Sequence, residues 1–149
     1  MEEAAVAVKA IPEGQHSITP YLVVVGADKL ITFLEQAFAG NCVERMQGPN
    51  GAIAHAEVKI GDSIVMLGEA SERAKAYSAM LYHYVPNVDE THRRAVAAGA
   101  KVLSEPVDMF YGDRSGAVID PFGNSWYLAT HIEDVSLEEM EKRMQAMRK

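Results

Sequence analysis

The stretch ITPYLVVVGADKLITFLEQAFAG, residues 18–40, runs an apolar strand pattern straight into a helical one. Ile18 to Val25 is a short run rich in β-branched residues, which predicts a strand. From Asp28 to Ala39 the period changes, and Leu30, Ile31, Leu34, Ala37 and Phe38 fall on one side of a helix. Asp28 is suited to capping its start and Gly40 to a left-handed last turn. The same punctuation returns about 60 residues later, where Asp89 opens and Gly99 closes a weaker stripe of His92, Ala95 and Val96.

Working outward, strands are expected at Val43–Gln47, Ala52–Ile60 and Ser63–Leu67, separated by the turns Pro49-Asn50-Gly51 and Gly61-Asp62. The second half repeats the order with Met80–Val85, the helix, Lys101–Pro106, Gly116–Ile119 and Ser125–Thr130. Each half therefore reads βαβββ. Ser136 and Glu139 form a capping-box pattern before a tail helix, whose Leu137, Met140, Met144 and Met147 make one apolar stripe. That stripe packs on the domain's own sheet or makes a subunit contact.

The chain has 149 residues, 48% hydrophobic and 23% charged, enough for one domain with a sizeable core. Fourteen basic against 21 acidic residues leave a net charge of −7, which repels nucleic acid. No apolar run is long enough to cross a bilayer, and the start MEEAAVAVKAIPEG carries acids where a secretory signal carries positive charge, so a cytoplasmic location is expected. Cys42 stands alone and forms no internal disulfide. It follows a helix end, where the dipole does not activate a thiol, and no Gly-x-Ser-x-Gly turn or glycine-rich phosphate loop is present.

A four-stranded sheet with one helix leaves a face bare, so two such modules are expected to share the deficit. The fold class is α+β: two paired βαβββ modules forming a curved eight-stranded mixed sheet around a central cup, plus a C-terminal helix. The boundaries are one domain over residues 11–132, with modules at 17–68 and 80–131, and the tail helix at 136–148. In Ala52–Ile60 the set Ala54, Ala56, Val58 and Ile60 alternates with Ile53, His55, Glu57 and Lys59, which assigns His55 and Glu57 to the cup.

The span from about Ile11 to Met144 resembles the vicinal oxygen chelate superfamily of glyoxalase, bleomycin resistance and extradiol dioxygenase proteins, and within it the PhnB-like branch. The resemblance rests on residues 18–40 together with HAEVKIGDSIVML, FYGDRSGAVIDPFGNSWYLATH and EDVSLEEMEKR. It implies the paired-module fold, and a divalent ion held by His, Glu or Gln from the first and last strand of each module. At those places this chain offers Thr19 or Tyr21, then Met66, then His83 or Tyr82 depending on register, then Tyr127. Thioether and neutral phenol are poor partners for such an ion and one imidazole does not suffice, so no metal and no cofactor are expected.

Candidate site residues follow. His55 and Glu57, two apart on one strand, face the same way and suit an acid/base pair, or else a solvated polar face. Tyr21, Met66, Tyr82, His83 and Tyr127 are expected to line the cup for substrate, with Tyr127 rather than its neighbour Trp126 turned inward. Arg114, in a glycine-flanked loop, would clamp an acidic ligand or else fix a local turn with Asp113. His92 and His131 receive no functional role.

The expected function is binding of a small, largely apolar molecule in the cup, as in glyoxalase and bleomycin-resistance proteins. The rival readings are a metal-dependent or metal-free lyase or isomerase, and a structural or interaction role with a collapsed cup. A homodimer is expected, because open strand edges need covering.

Overall fold

The computed structural model describes residues 7–148; the start Met1–Val6, on which part of the location argument rests, and Lys149 lie outside the described residues. The first module comprises β1 (Tyr21–Val24), α1 (Ala27–Phe38), β2 (Asn41–Gln47), β3 (Ile53–Ile60) and β4 (Ser63–Glu69). The second comprises β5 (Met80–Tyr84), α2 (Val88–Ala97), β6 (Lys101–Asp108), β7 (Asp113–Ile119) and β8 (Ser125–His131), and α3 (Leu137–Met147) follows. The expected duplicated βαβββ order is thus observed.

The eight strands divide into two four-stranded sheets, ordered β1-β4-β3-β2 and β5-β8-β7-β6. In each, the first strand runs parallel to the last and the remaining neighbours are antiparallel. Helix α1 buries Leu30, Ile31, Leu34 and Phe38 against Leu22, Val24, Val58 and Leu67, and α2 buries Val88 and Ala95 beside Trp126 and Leu128. The two helices pack on each other, and Phe38 reaches Trp126 with ring centroids 4.8 Å apart, so both modules share one core. One face of each sheet is left without a helix.

Local chemistry adjusts the expected boundaries. Asp28 and Asp89 lie inside the first turns; the cap positions are Gly26 and Asn87, whose side chain accepts from the Glu90 amide. At the end of α1 the left-handed residue is Ala39, with φ 55°, rather than Gly40. Gly40 is needed for another reason, because a Cβ there would stand 2.8 Å from Val58 Cγ1.

In β3, Ala56, Val58 and Ile60 are buried as the alternation requires, but Ile53 is also buried and Ala54 exposed. A bulge opposite Met46 and Gln47 shifts the register there and exchanges the two faces. Ser136 caps α3 by accepting from the Glu139 amide, and the apolar stripe of that helix is covered in part, with Met140 half-buried but Leu137 71% and Met147 67% exposed. Among the described residues, no helix is long and apolar enough to cross a membrane.

Candidate functional site

The helix-free face of the first sheet carries a hydrogen-bonded chain across three strands. Tyr21 on β1 pairs with Met66 on β4, which pairs with Glu57 on β3. Tyr21 Oη lies 3.0 Å from His55 Nδ1, and His55 Nε2 lies 3.0 Å from Glu57 Oε2. The other Glu57 oxygen accepts from the Gln15 amide at 2.9 Å, and Gln15 in turn accepts from Thr19. His55 and Glu57 are half-buried, with side-chain exposures of 25% and 14%. The His55 hydrogen bond holds the Glu57 carboxyl below its usual range, outweighing burial, which acts the other way.

Glu44 on β2 adds a third polar group: Glu44, His55 and Glu57 each bring one donor atom within 4.8 Å of the others. Both nitrogens of the His55 ring, however, already have partners, Tyr21 on one side and Glu57 on the other. We read the trio as part of a hydrogen-bonded network.

The bare face of the second sheet is organised around a buried carboxylate. Asp113, 3% exposed, accepts from Tyr82 Oη at 2.7 Å and Tyr84 Oη at 2.9 Å on one oxygen, and meets His131 Nδ1 at 2.8 Å on the other. His131 Nε2 reaches Asp134 at 2.7 Å. Burial alone would raise the Asp113 carboxyl, but the bonds from His131, Tyr82 and Tyr84 hold it below its ordinary value. Asp113 and then Asp134 raise the His131 imidazole. Burial, with Tyr111 and Asp113 adding to it, pushes the Tyr82 phenol up, so it stays neutral. Asp113 does the same to Tyr84.

The predicted residues are distributed accordingly. Tyr21, His55, Glu57 and Met66 gather on the first face, and Tyr82 pairs with Tyr127 on the second. Tyr127 is half-buried there while its neighbour Trp126 is buried beside Phe38 of α1. These residues fall in two hollows rather than one: Met66 and Glu57 line a hollow of about 430 Å³ with Gln15 and Thr19, whereas Tyr82, His83 and Tyr84 line a cleft of about 420 Å³ with Pro20 and the β3–β4 turn.

His83 lies on the other side of β5 from Tyr82, beside Phe38 at 4.9 Å and Trp126 at 6.1 Å, with its Nδ1 buried without a partner, and it lines the same cleft as Tyr82 and Tyr84. One placement is a correction: Arg114 is no clamp over the open face. Adjacent to Asp113 on β7, it points the opposite way and makes a bidentate pair with Asp89 of α2 at 2.8 and 3.0 Å, plus a bond to Asp108. Asp113 and His131 were not among the expected site residues. The signal for them was parity along β7 and β8, which puts both on the face of Tyr127.

At the places where the resemblance implies a divalent ion, the register sets Tyr21 of β1 beside Met66 of β4 and Tyr82 of β5 beside Tyr127 of β8. Tyr82 donates its proton to Asp113 and is held neutral, and a thioether is a weak partner for a hard cation. These residues do not fit a resident metal.

Residues 14–128 match the family described as the Glyoxalase/Bleomycin resistance protein/Dioxygenase superfamily. The uncharacterized protein Mb0911c of Mycobacterium bovis is 32% identical over 139 residues, covering 86% of this chain and 91% of that protein. The crystal structure of TioX from Micromonospora superposes with a TM-score of 0.66 at 26% identity, covering 77% of this chain and 98% of TioX. A PhnB protein from Bacillus cereus, at 18% identity and a TM-score of 0.64 over 77% of this chain and 99% of its own, shares the fold.

Proposed function

We propose, from the premise that the chain belongs to the Glyoxalase/Bleomycin resistance protein/Dioxygenase superfamily, that it binds a small, largely apolar molecule on the helix-free faces of its sheets without a metal anchor. The observation that carries this reading is the presentation of the tyrosines. Tyr21, Tyr82 and Tyr84 are 38%, 43% and 60% exposed, yet their hydroxyls are tied to His55 or Asp113. Held at the tip, each ring offers its flat side to a partner at little further cost in side-chain entropy. Met66 on the first face and Met80 beside the second supply adaptable thioethers.

The seat is completed by a second copy. Each chain carries two different bare faces, and a two-fold axis sets the first face of one protomer against the second face of its partner, twice over. The exposed edge strands β2 and β6 and the exposed Leu137, Met144 and Met147 of α3 supply further surface for the same contact. Nucleic acid and membrane have no part in this reading, and the lone Cys42 goes with a cytoplasmic setting.

A thermal-shift screen of planar apolar acids, neutral aromatics and divalent metals tests it, since a ligand specific to the folded state raises the melting temperature. Stabilisation by aromatics and not by metals is expected. Stabilisation by a metal alone overturns the reading. Light scattering at micromolar concentration reports the dimer, and a monomer with bound ligand removes the two-fold seat.

A further inference from the structure

We propose that Tyr21, His55 and Glu57 form a proton relay that makes Tyr21 Oη a nucleophile toward activated carboxylic esters. The inference goes beyond ligand binding and needs neither a second copy nor the natural ligand. Its basis is the direction of the two hydrogen bonds. Glu57 is a carboxylate, fixed by His55 on one oxygen and by Gln15 on the other, and it can only accept. In the neutral ring Nε2 of His55 therefore carries the proton, and Nδ1 is the acceptor facing Tyr21. In that form the phenol donates to a nitrogen base, in the arrangement by which an acid–imidazole pair activates a hydroxyl.

The backbone makes room for this contact. Tyr21 must reach from β1 across β4 to His55 on β3, and it passes over Gly68. A Cβ on Gly68 would stand 3.1 Å from Tyr21 Oη and 2.9 Å from the Ala54 carbonyl oxygen, so only glycine leaves the path open. Glu44 on β2 is the other charged group gathered with His55 and Glu57.

In the step itself, Tyr21 Oη attacks the ester carbonyl carbon while its proton moves to His55 Nδ1. The bond from that carbon to the leaving oxygen breaks, and the aryl oxide departs with the electron pair. The imidazolium then returns its proton to solvent. Water, with His55 as base, hydrolyses the resulting tyrosyl ester.

The second sheet supplies the control within the same chain. Tyr84 is more exposed than Tyr21, but its phenol donates to the Asp113 carboxylate, a weaker base than imidazole that holds the proton on the oxygen. The full chain is incubated with p-nitrophenyl acetate near neutral pH, p-nitrophenolate release is followed, and the acetylated tyrosines are mapped by mass spectrometry. Tyr21 is expected to be acetylated about 100-fold faster than Tyr84, in the range a positioned base supplies. Y21F and H55F each reduce release to the background rate. E57Q lowers the rate about tenfold and moves the acid limb of its pH profile downward, which a purely structural Glu57 would not do. Labelling of Tyr21 no faster than Tyr84 in the unmodified protein overturns the proposal, whether or not the variants fold. An unchanged Tyr21 rate in a folded H55F protein does the same.

Discussion

Replacing Asp113 with asparagine keeps the shape of the side chain and removes the charge on which the second face is built. Three groups lean on that carboxylate: Tyr82 at 2.7 Å, Tyr84 at 2.9 Å and His131 at 2.8 Å. A hydrogen bond to a charged partner contributes about 1.5–3 kcal/mol and one to a neutral partner about half that. Tyr84 and His131 are well exposed and recover their bonds from water, so the loss is dominated by Tyr82 and by one asparagine amide turned toward a donor. The expected cost is about 2 kcal/mol, or a melting temperature lower by about 4–8 °C for a chain of this size.

The same substitution has a titration signature. The His131 midpoint, raised in the wild type chiefly by Asp113, falls toward 6.5 and is read by imidazole NMR. The Tyr84 phenol, raised chiefly by Asp113, falls toward 10.0 and is read by absorbance. Asp113 is depressed, so its contribution is present above 3.8 and is lost as the pH falls through its folded value. His131 is raised, so its contribution is complete below 6.5 and is lost as the pH rises through its folded value. The stability gap between wild type and D113N is therefore widest between 3.8 and 6.5 and narrows on either side. An unchanged His131 midpoint with a melting shift under about 1 °C would refute the carboxylate-centred network.

Three further outcomes follow from the geometry. H83F removes a buried nitrogen that has no partner and keeps the edge-on contact with Phe38, so it stabilises by about 1 kcal/mol, or about 2–4 °C in a melt. Burial depresses the wild-type imidazole, so the unfolded state takes up the proton first and stability falls as the pH drops below 6.5; in H83F that part of the acid loss is absent. G112A forces a Cβ to 2.1 Å from the Glu133 carbonyl oxygen at a φ of 101°, which costs more than about 2 kcal/mol and speeds amide exchange at Ile132 and Glu133, both of which donate to Gly112. R114A unties β7 from α2 and lowers the melting temperature slightly, while calorimetry with acidic and neutral ligands alike shows affinity unchanged within about twofold.

The fold was legible because burial imposes a period on each element. The stripe Leu30, Ile31, Leu34, Phe38 has no use outside a helix on a sheet, and the second module repeats the arrangement with Val88 and Ala95. What a period does not carry is an interruption of it, and the bulge at Met46–Gln47 reverses Ile53 and Ala54 for that reason. The site divides along the same line. His55 and Glu57 were readable as a pair because two residues apart on a strand is a local relation. Tyr21 joins them only through sheet order β1-β4-β3 and the missing side chain of Gly68, neither of which is local.

Asp113 illustrates the harder case. Beside Arg114 and between glycines it has the composition of a turn, and its partners arrive from β5 and β8, on either side of it in the chain. Yet one fact about it settles its neighbour as well. Once Asp113 faces the bare side of β7, alternation sends Arg114 to the helix side, where Asp89 stands in the first turn of α2. The arginine that a sequence offers as a ligand clamp is thereby spent on holding a strand to a helix, and recognition on this face falls to phenols oriented by a buried carboxylate.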